Sequence, residues 1–422
     1  MPPDPLGLGV DLGTSGLRLA LIDPTGRVLA EQASAYPDAF ENPTGWREGL
    51  ITLCAALPAE LRARVAAVAV DGTSGTLLIC SADGQPAPGA LGLALPYHRS
   101  CPAQAAEAAA LVGAEAAGSP AASASGSLAR ALALLGATAG VGWLLRHQAD
   151  WLMGWLLGDW RWGEEGNNLR LGWDLETGAW QGAIARQAWS AGLPQICASG
   201  TVLGPLSGAA ASALGLPREC EVVAGSTDAS AAVLAADPQP HDGVTVLGTT
   251  LALKQFSPRP IRAPGVSCQR LAGQWLVGGA SNGGAGVLRQ FFSDAELTEL
   301  SRQIDPHRSS GLELRPLPRP GERFPVDDPV LEPVLDPRPV SDALYLQGLL
   351  EGLAQIERDG WRRLEQLGAP PVRRVLSLGG GARNPQWRAI RQRLLGVPVL
   401  NRPQASAARG MARLALSAIT AP

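Results

Sequence analysis

The sequence predicts an α/β protein of two domains. Three observations carry that prediction. The chain has 422 residues, more than one hydrophobic core ordinarily serves. Apolar runs of strand length alternate with stretches whose apolar residues recur at helical spacing. A unit of strand, Gly-Thr turn and strand stands near the start and again past the middle, which is an internal duplication.

The first such unit is Gly7 to Asp23, two apolar runs flanking Gly13-Thr14-Ser15-Gly16. Gly13 and Gly16 permit the positive φ that a hairpin turn needs. Arg27 to Ala30 reads as a third short strand after the turn Asp23-Pro24-Thr25-Gly26. Residues 46–64 read as a helix, with Leu50, Leu53, Cys54, Leu57 and Leu61 on one face. Val65 to Asp71 is continuously apolar up to its acid, as buried parallel strands are. It runs into Gly72-Thr73-Ser74-Gly75-Thr76 and the strand Leu77 to Cys80. Residues 103–127 are rich in Ala, Gly and Ser and read as a poorly specified helix and loop. Ser125 or Ser127 caps a helix from Leu128 to Leu145. Trp151 to Leu157 is helical, Gly163 to Asn168 a polar loop, and Ala183 to Ala191 a helix.

Glu221 to Thr227 is a strand that ends in Gly225-Ser226-Thr227-Asp228, where a small-residue helix opens. Asp237-Pro238-Gln239-Pro240 marks the domain boundary. The second unit is Gly243 to Lys254, with Gly248-Thr249-Thr250 at its turn. A Pro-rich segment spans Leu312 to Pro339, and Leu344 to Leu367 is a long amphipathic helix. Val375 to Leu378 leads into Gly379-Gly380-Gly381, and Asn384-Pro385 opens a helix to Leu395. Val397 to Leu400 is a strand, and Ala405 to Ala418 the terminal helix.

Composition removes several functions. A net charge of −3 gives no field for nucleic acid or an anionic membrane surface. Lys254 is the only lysine, a bias of composition. The six cysteines form no CxxC and no Cys/His cluster, which predicts reduced buried thiols and no structural zinc. Met1-Pro2-Pro3-Asp4-Pro5 lacks the regions of a signal peptide. The longest apolar run, Ala131 to Leu145, falls short of the ~20 residues of a membrane span. A cytoplasmic protein with no nucleic-acid or membrane partner is expected.

Two carboxylates stand where chemistry can use them. Asp11 ends a strand beside a turn of backbone N–H groups and small hydroxyls, a setting that suits a phosphate and its metal ion. An ordinary glycine-turn hairpin has the same residues. Asp228 lies where a strand gives way to a helix, so its carboxylate projects beyond the sheet edge and the helix N-terminus favours its charged form. A helix-capping Asp is the plain alternative.

Taken in order, these motifs resemble the FGGY family of carbohydrate kinases, within the actin, sugar-kinase and heat-shock ATPase superfamily. The resemblance rests on Asp11-Leu12-Gly13-Thr14-Ser15, Gly225-Ser226-Thr227-Asp228 and Gly248-Thr249-Thr250, continues through Gly321-Glu322-Arg323-Phe324-Pro325 and Gly379 to Trp387, and ends at Leu395-Gly396-Val397-Pro398-Val399. It runs nearly end to end. The short chain and the Gly-Thr-Ser loop look most like the small cyanobacterial and plant D-ribulose kinases. Departures are Tyr97-His98-Arg99-Ser100, where relatives place an acid, and Ala405, where Glu often stands.

The resemblance implies two actin-like (ribonuclease H-like) domains with a cleft between them. A sugar-binding domain would span residues 1–236, rejoined by 405–422, and a nucleotide-binding domain 237–404. The Pro-rich stretch becomes an ordered crossing. The implied activity is ATP-dependent, Mg²⁺-requiring phosphorylation of a primary hydroxyl of a small ketose, D-ribulose first, then D-xylulose or another polyol. A non-catalytic ATP- and sugar-binding sensor and a structural ATPase are the rivals. Asp228 is the implied base and Asp11 the metal and substrate ligand. Thr73 and Ser74, with Asp11 and Asp228, would hold the sugar. Thr14, Ser15, Gly248, Thr249 and Thr250 would face the phosphates, and Gly380, Gly381, Asn384 and Trp387 the adenosine. Glu164 and Glu165 are either an acidic substrate loop or a solvated turn. The short chain suggests a monomer.

Overall fold

Buried apolar residues divide between two separate sheets, each with its own helices, in the computed structural model of the chain. The structure describes residues 4–116, 118–138 and 142–420. The expectation for Met1 to Pro3 lies outside them, as does the middle of the helix expected from Leu128 to Leu145. One compact unit takes the residues up to Ala235, Arg270–Gly273 and those from Ser406 on; the other takes Ala236–Gln269 and Gln274–Ala405.

In the first unit, β1 (Leu6–Gly13), β2 (Gly16–Ile22) and β3 (Val28–Ser34) form an antiparallel meander. The turn needs one left-handed residue and Gly16 supplies it, at φ 152°. Gly13, expected to share that role, is not among the positive-φ residues. Helix α1 (Pro43–Ala55) is capped by the Asn42 side chain and opened by Pro43. Pro58 separates it from α2 (Ala59–Arg62), so the single helix expected over 46–64 is two. Strand β4 (Val65–Gly72) pairs parallel with β1 and places Asp71 directly beside Asp11.

β5 (Leu77–Cys80) leads through α3 (Ala105–Val112) to α4 (Ser127–Gly136). The expected helix to Leu145 stops at Gly136. Leu144–His147 is instead strand β6, because β5 needs a ladder partner, and Gly136 and Gly142 weaken any continuing helix. Gly126, not a serine, is the N-cap of α4; the Ser127 hydroxyl pairs with the His147 ring.

Helix α5 (Gln148–Leu157) follows, then β7 (Trp162–Glu164) and α6 (Glu165–Asn168), where a loop was expected. Further on come β8 (Trp173–Asp174), β9 (Ala179–Trp180) and β10 (Gln195–Cys197). The helix expected from Ala183 to Ala191 is two isolated 3₁₀ turns. Strands β11 (Val202–Pro205) and β12 (Glu221–Thr227) flank α7 (Gly208–Leu214) and complete a sheet of order β11-β12-β4-β1-β2-β3. α8 (Asp228–Ala235) starts at the end of β12.

The second unit repeats that plan. β13 (Asp242–Leu247), β14 (Leu251–Ser257), β15 (Val266–Leu271) and β16 (Gln274–Ser281) precede α9 (Ala285–Leu288), α10 (Asp294–Arg302) and α11 (Asp342–Gln366). Next come β17 (Arg374–Leu378), α12 (Pro385–Leu395) and β18 (Val399–Asn401). The sheet order is β15-β16-β14-β13-β17-β18. Both sheets pass from an antiparallel hairpin (β1–β2, β13–β14) into two parallel neighbours (β4–β12, β17–β18). The Pro-rich segment is ordered by the bridges Arg315–Val334 and Glu322–Asp328. Helix α13 (Ala407–Thr420) counts with the first unit. It lies on that unit's sheet so closely that a Cβ on Gly9 would stand 1.9 Å from the Ala408 carbonyl.

Candidate active site

Three neighbouring strands of the first unit end in acids. Register sets Asp11 on β1 against Asp71 on β4, and Asp71 against Ser226 on β12, two residues before Asp228. The carboxyl ends of parallel strands are where such sheets place their ligands. Asp11 is 5% exposed and accepts from Arg18 Nη1 at 3.1 Å. Asp71 is wholly buried and, among the described residues, neither of its oxygens receives a donor. Burial first, then the charges of Asp11 and Asp228, hold its carboxyl well above the usual carboxylate range.

Asp228 accepts from the Ala229 N–H at 2.8 Å and from the Ser74 N–H. Burial raises its pKa to about 6, with Asp11 adding repulsion, against the lowering by those two N–H groups. The helix N-terminus was expected to favour the charged form; desolvation outweighs it here. A carboxylate tuned toward neutrality suits proton abstraction near physiological pH.

The loop between β4 and β5 carries Ser74 at its tip and Gly75 at φ 103°. Thr73, expected to face a sugar, is turned inward. Its hydroxyl donates to Gln148 Oε1 at 2.8 Å and pairs with Thr76 Oγ1 at 2.6 Å, and the residue is 3% exposed. Thr73 therefore shapes the loop. Ser74 stays at its rim, partly exposed. Thr14 and Ser15 are exposed at the β1–β2 turn. Glu164 is buried and receives the Gly166 and Asn167 N–H groups, which makes it the cap of α6 rather than a solvated turn.

The second unit holds a pocket of about 710 Å³. Gly248 and Thr249 line it, with Gly380, Gly381, Asn384 and Trp387. Thr250 is exposed beside them and outside the lining. The Asn384 carboxamide is already committed: Oδ1 caps α12 by accepting from the Trp387 N–H at 3.0 Å, and Nδ2 donates to Ser301 Oγ at 2.8 Å. Trp387 is 2% exposed and packs where a Cβ on Gly381 would stand 2.4 Å from its ring. It forms the floor of the pocket and presents no open face. The opposite wall is α10, with Leu297, Thr298, Ser301 and Arg302. Sequence reasoning missed α10 altogether, although its capping box Ser293 to Glu296 was there to be read. Arg18, Tyr36 and Gln148 were missed too; no local motif announces them.

Two sheets of this plan define an actin-like α/β fold of two domains. Residues 243–419 match the FGGY family of carbohydrate kinases, C-terminal domain. Solved structures of similar fold include one described as a xyloylose kinase from Brucella ovis, 21% identical, with TM-score 0.79, covering 99% of this chain and 91% of that one. A gluconate kinase from Lactobacillus acidophilus (16% identical, TM-score 0.79, 99% and 89% covered) and Plasmodium falciparum glycerol kinase with ADP (13%, 0.81, 99% and 90%) share it. The matched residues are those of an FGGY carbohydrate kinase C-terminal domain, and the likeness of the whole chain to these solved structures is one of fold. Among the described residues no helix is long and apolar enough to cross a membrane.

Proposed function

We propose that the protein transfers the γ-phosphoryl group of ATP to a primary hydroxyl of a small ketose, D-ribulose first, with D-xylulose or a related polyol as the second choice. The observation that supports this best is Asp228, a partly desolvated carboxylate at a strand end, with Asp11 and the Ser74 loop in the same unit.

Phosphoryl transfer asks the protein for positioning, charge neutralisation and a base near the hydroxyl. Asp228 takes the hydroxyl proton as the oxygen attacks. The Ser74 N–H holds the base's carboxylate, and the Ser74 side chain and Asp11 bind sugar hydroxyls. Thr73 acts behind Ser74. Thr14 and Ser15 in one unit, and Gly248, Thr249 and Thr250 in the other, offer N–H and hydroxyl groups to phosphate oxygens. Gly380 and Gly381 let the backbone pass close to the nucleoside, while Asn384 and Trp387 set the shape of its pocket. The size of that pocket and its glycine-lined wall fit a nucleotide.

Mg²⁺ would be held by Asp11. No group of three potential ligands gathers among the described residues, and Mg²⁺ is commonly held by one or two carboxylates plus substrate phosphates. When bound it supplies charge neutralisation at the phosphates. The protein is read as a cytoplasmic monomer.

Asp228→Ala tests the reading. Phosphorylation of the ketose, followed by ADP release over a panel of ketopentoses, ketohexoses, pentitols and glycerol, is expected to fall by ~10²–10⁴ while nucleotide still binds. Near-normal sugar-dependent turnover in that variant would sink the assignment. Sugar-independent ATP hydrolysis with no phosphosugar in the wild type would favour the sensor.

A further inference from the structure

Beneath the Ser74 loop lies a buried run of neutral hydrogen bonds that the reaction as described does not use. Gln148, fully buried at the start of α5, accepts from both the Thr73 N–H (3.1 Å) and the Thr73 hydroxyl (2.8 Å). Its own backbone N–H donates to the Thr76 carbonyl at 3.1 Å. The other end of its carboxamide, Nε2, donates to the Tyr36 hydroxyl at 3.5 Å. Tyr36 in turn donates to the Gly13 carbonyl at 2.7 Å. Gly13 closes β1 two residues beyond Asp11, and a Cβ there would stand 3.7 Å from Asp11 Oδ1. On the loop side, Ser74 follows Thr73 and gives its N–H to Asp228.

A continuous path therefore joins the two functional carboxylates: Asp228, Ser74, Thr73, Gln148, Tyr36, Gly13, Asp11. A second path supports it from the surface. The Tyr97 N–H donates to Thr76 Oγ1 at 3.1 Å, and Thr14 Oγ1 donates to the Tyr97 hydroxyl at 3.4 Å. The chemistry of the central link is specific. The Gln148 carboxamide accepts from Thr73 and donates to Tyr36 at once; a carboxylate lacks the donor and an aliphatic side chain lacks both. The phenol stays protonated, since burial first, then the nearby charges of Asp11 and Asp71, raises it far above its ordinary value.

We propose that Gln148 and Tyr36 are positioning residues of the phosphotransfer, a buried strap that fixes the sugar loop and the phosphate hairpin in one register. Neither touches substrate. Their effect is to hold the base side and the metal side of the site at a set separation, where errors are costly: a misplacement of ~1 Å can lower a rate about 10²-fold. The inference rests on the function proposed above.

The test uses Tyr36→Phe, which keeps the ring packed on Phe40 (centroids 5.7 Å apart) and removes only the hydroxyl, together with Gln148→Met and the double variant. The strap predicts that kcat with the ketose falls about tenfold in Tyr36→Phe while both Michaelis constants stay within about twofold. It predicts that the double variant loses no more than the worse single, because either break opens the same path. It also predicts faster amide exchange of residues 12–16 and 73–76 in Tyr36→Phe, with the thermal midpoint held. Unchanged exchange in both segments overturns the strap, and so do a kcat within about twofold of wild type or losses that add. Failure of the wild type to phosphorylate any ketose overturns the proposed function instead. The exchange measurement then decides the strap alone.

Discussion

Asp228 carries two consequences that pull in opposite directions. Its carboxylate must be ionised to accept a proton, and its pKa is raised to about 6. The acid limb of kcat/KM is therefore expected near pH 6 rather than near 4, and a pH–rate profile of the wild type checks it. The stability sign follows from the same shift. The unfolded chain gives up this proton near the ordinary carboxylate value of 3.8, before the folded one does. Between those two pH values folding loses ground, and at pH 7 the whole cost is present. A shift of this size corresponds to about 3 kcal/mol at most, and the solvent reaching this half-buried group lowers it. Asp228→Asn is accordingly expected to abolish turnover yet raise unfolding stability by about 1–2 kcal/mol at pH 7, with no gain at pH 3, as chemical denaturation at the two pH values would show. At this scale the sequence pointed to the carboxylates proposed here but not to how they are tuned. The helix N-terminus is visible in the chain; the burial that outweighs it is not. Thr73 shows the same limit, because a residue type says nothing of where its hydroxyl turns, and Gln148 lies far along the chain from the loop it holds.

Among the elements, α13 and β1 pack with almost no intervening side chain. Cβ atoms on Gly7 and Gly9 would stand 2.5 and 1.9 Å from the carbonyls of Ala412 and Ala408. Gly9→Ala is expected to cost about 1–3 kcal/mol by forcing the helix off the sheet, read as a lowered thermal midpoint; an unchanged midpoint would mean the helix yields freely. The small residues at 408 and 412 do not by themselves say which sheet they meet, so only the resemblance placed this helix with the first unit. Strand β6 was misread for a related reason. Its apolar residues suit a buried helix as well as a strand, and what decides is the ladder partner β5, a tertiary fact. Where capping chemistry is local, as at Asn42-Pro43, Ser341 and Asn384-Pro385, element starts were within reach of the sequence.

For the whole molecule, the repeated sheet plan was foreshadowed by the two strand-turn-strand units, since a turn that needs Gly and hydroxyls marks itself in the chain. The pocket proposed for the nucleotide was half legible: its glycines declare themselves, but α10 joins them only in three dimensions. ATP is expected to protect amides of residues 294–302 and 380–387 from exchange and to stabilise the protein by about 2.7 kcal/mol at a hundredfold excess over its dissociation constant. Absence of protection in both segments would remove the pocket from the nucleotide's account.

The lodging of α13 against β1 also bears on how the protein is made. Strand β1 (Leu6–Gly13) leaves the ribosome long before α13 (Ala407–Thr420), which lies far later in the chain. At usual synthesis rates the two are separated by on the order of half a minute. For that interval the glycine-bearing face of the nascent sheet has no helix to cover it. The newborn first domain thus waits on residues not yet translated, a dependence that chaperones binding exposed apolar sheet surface are suited to bridge.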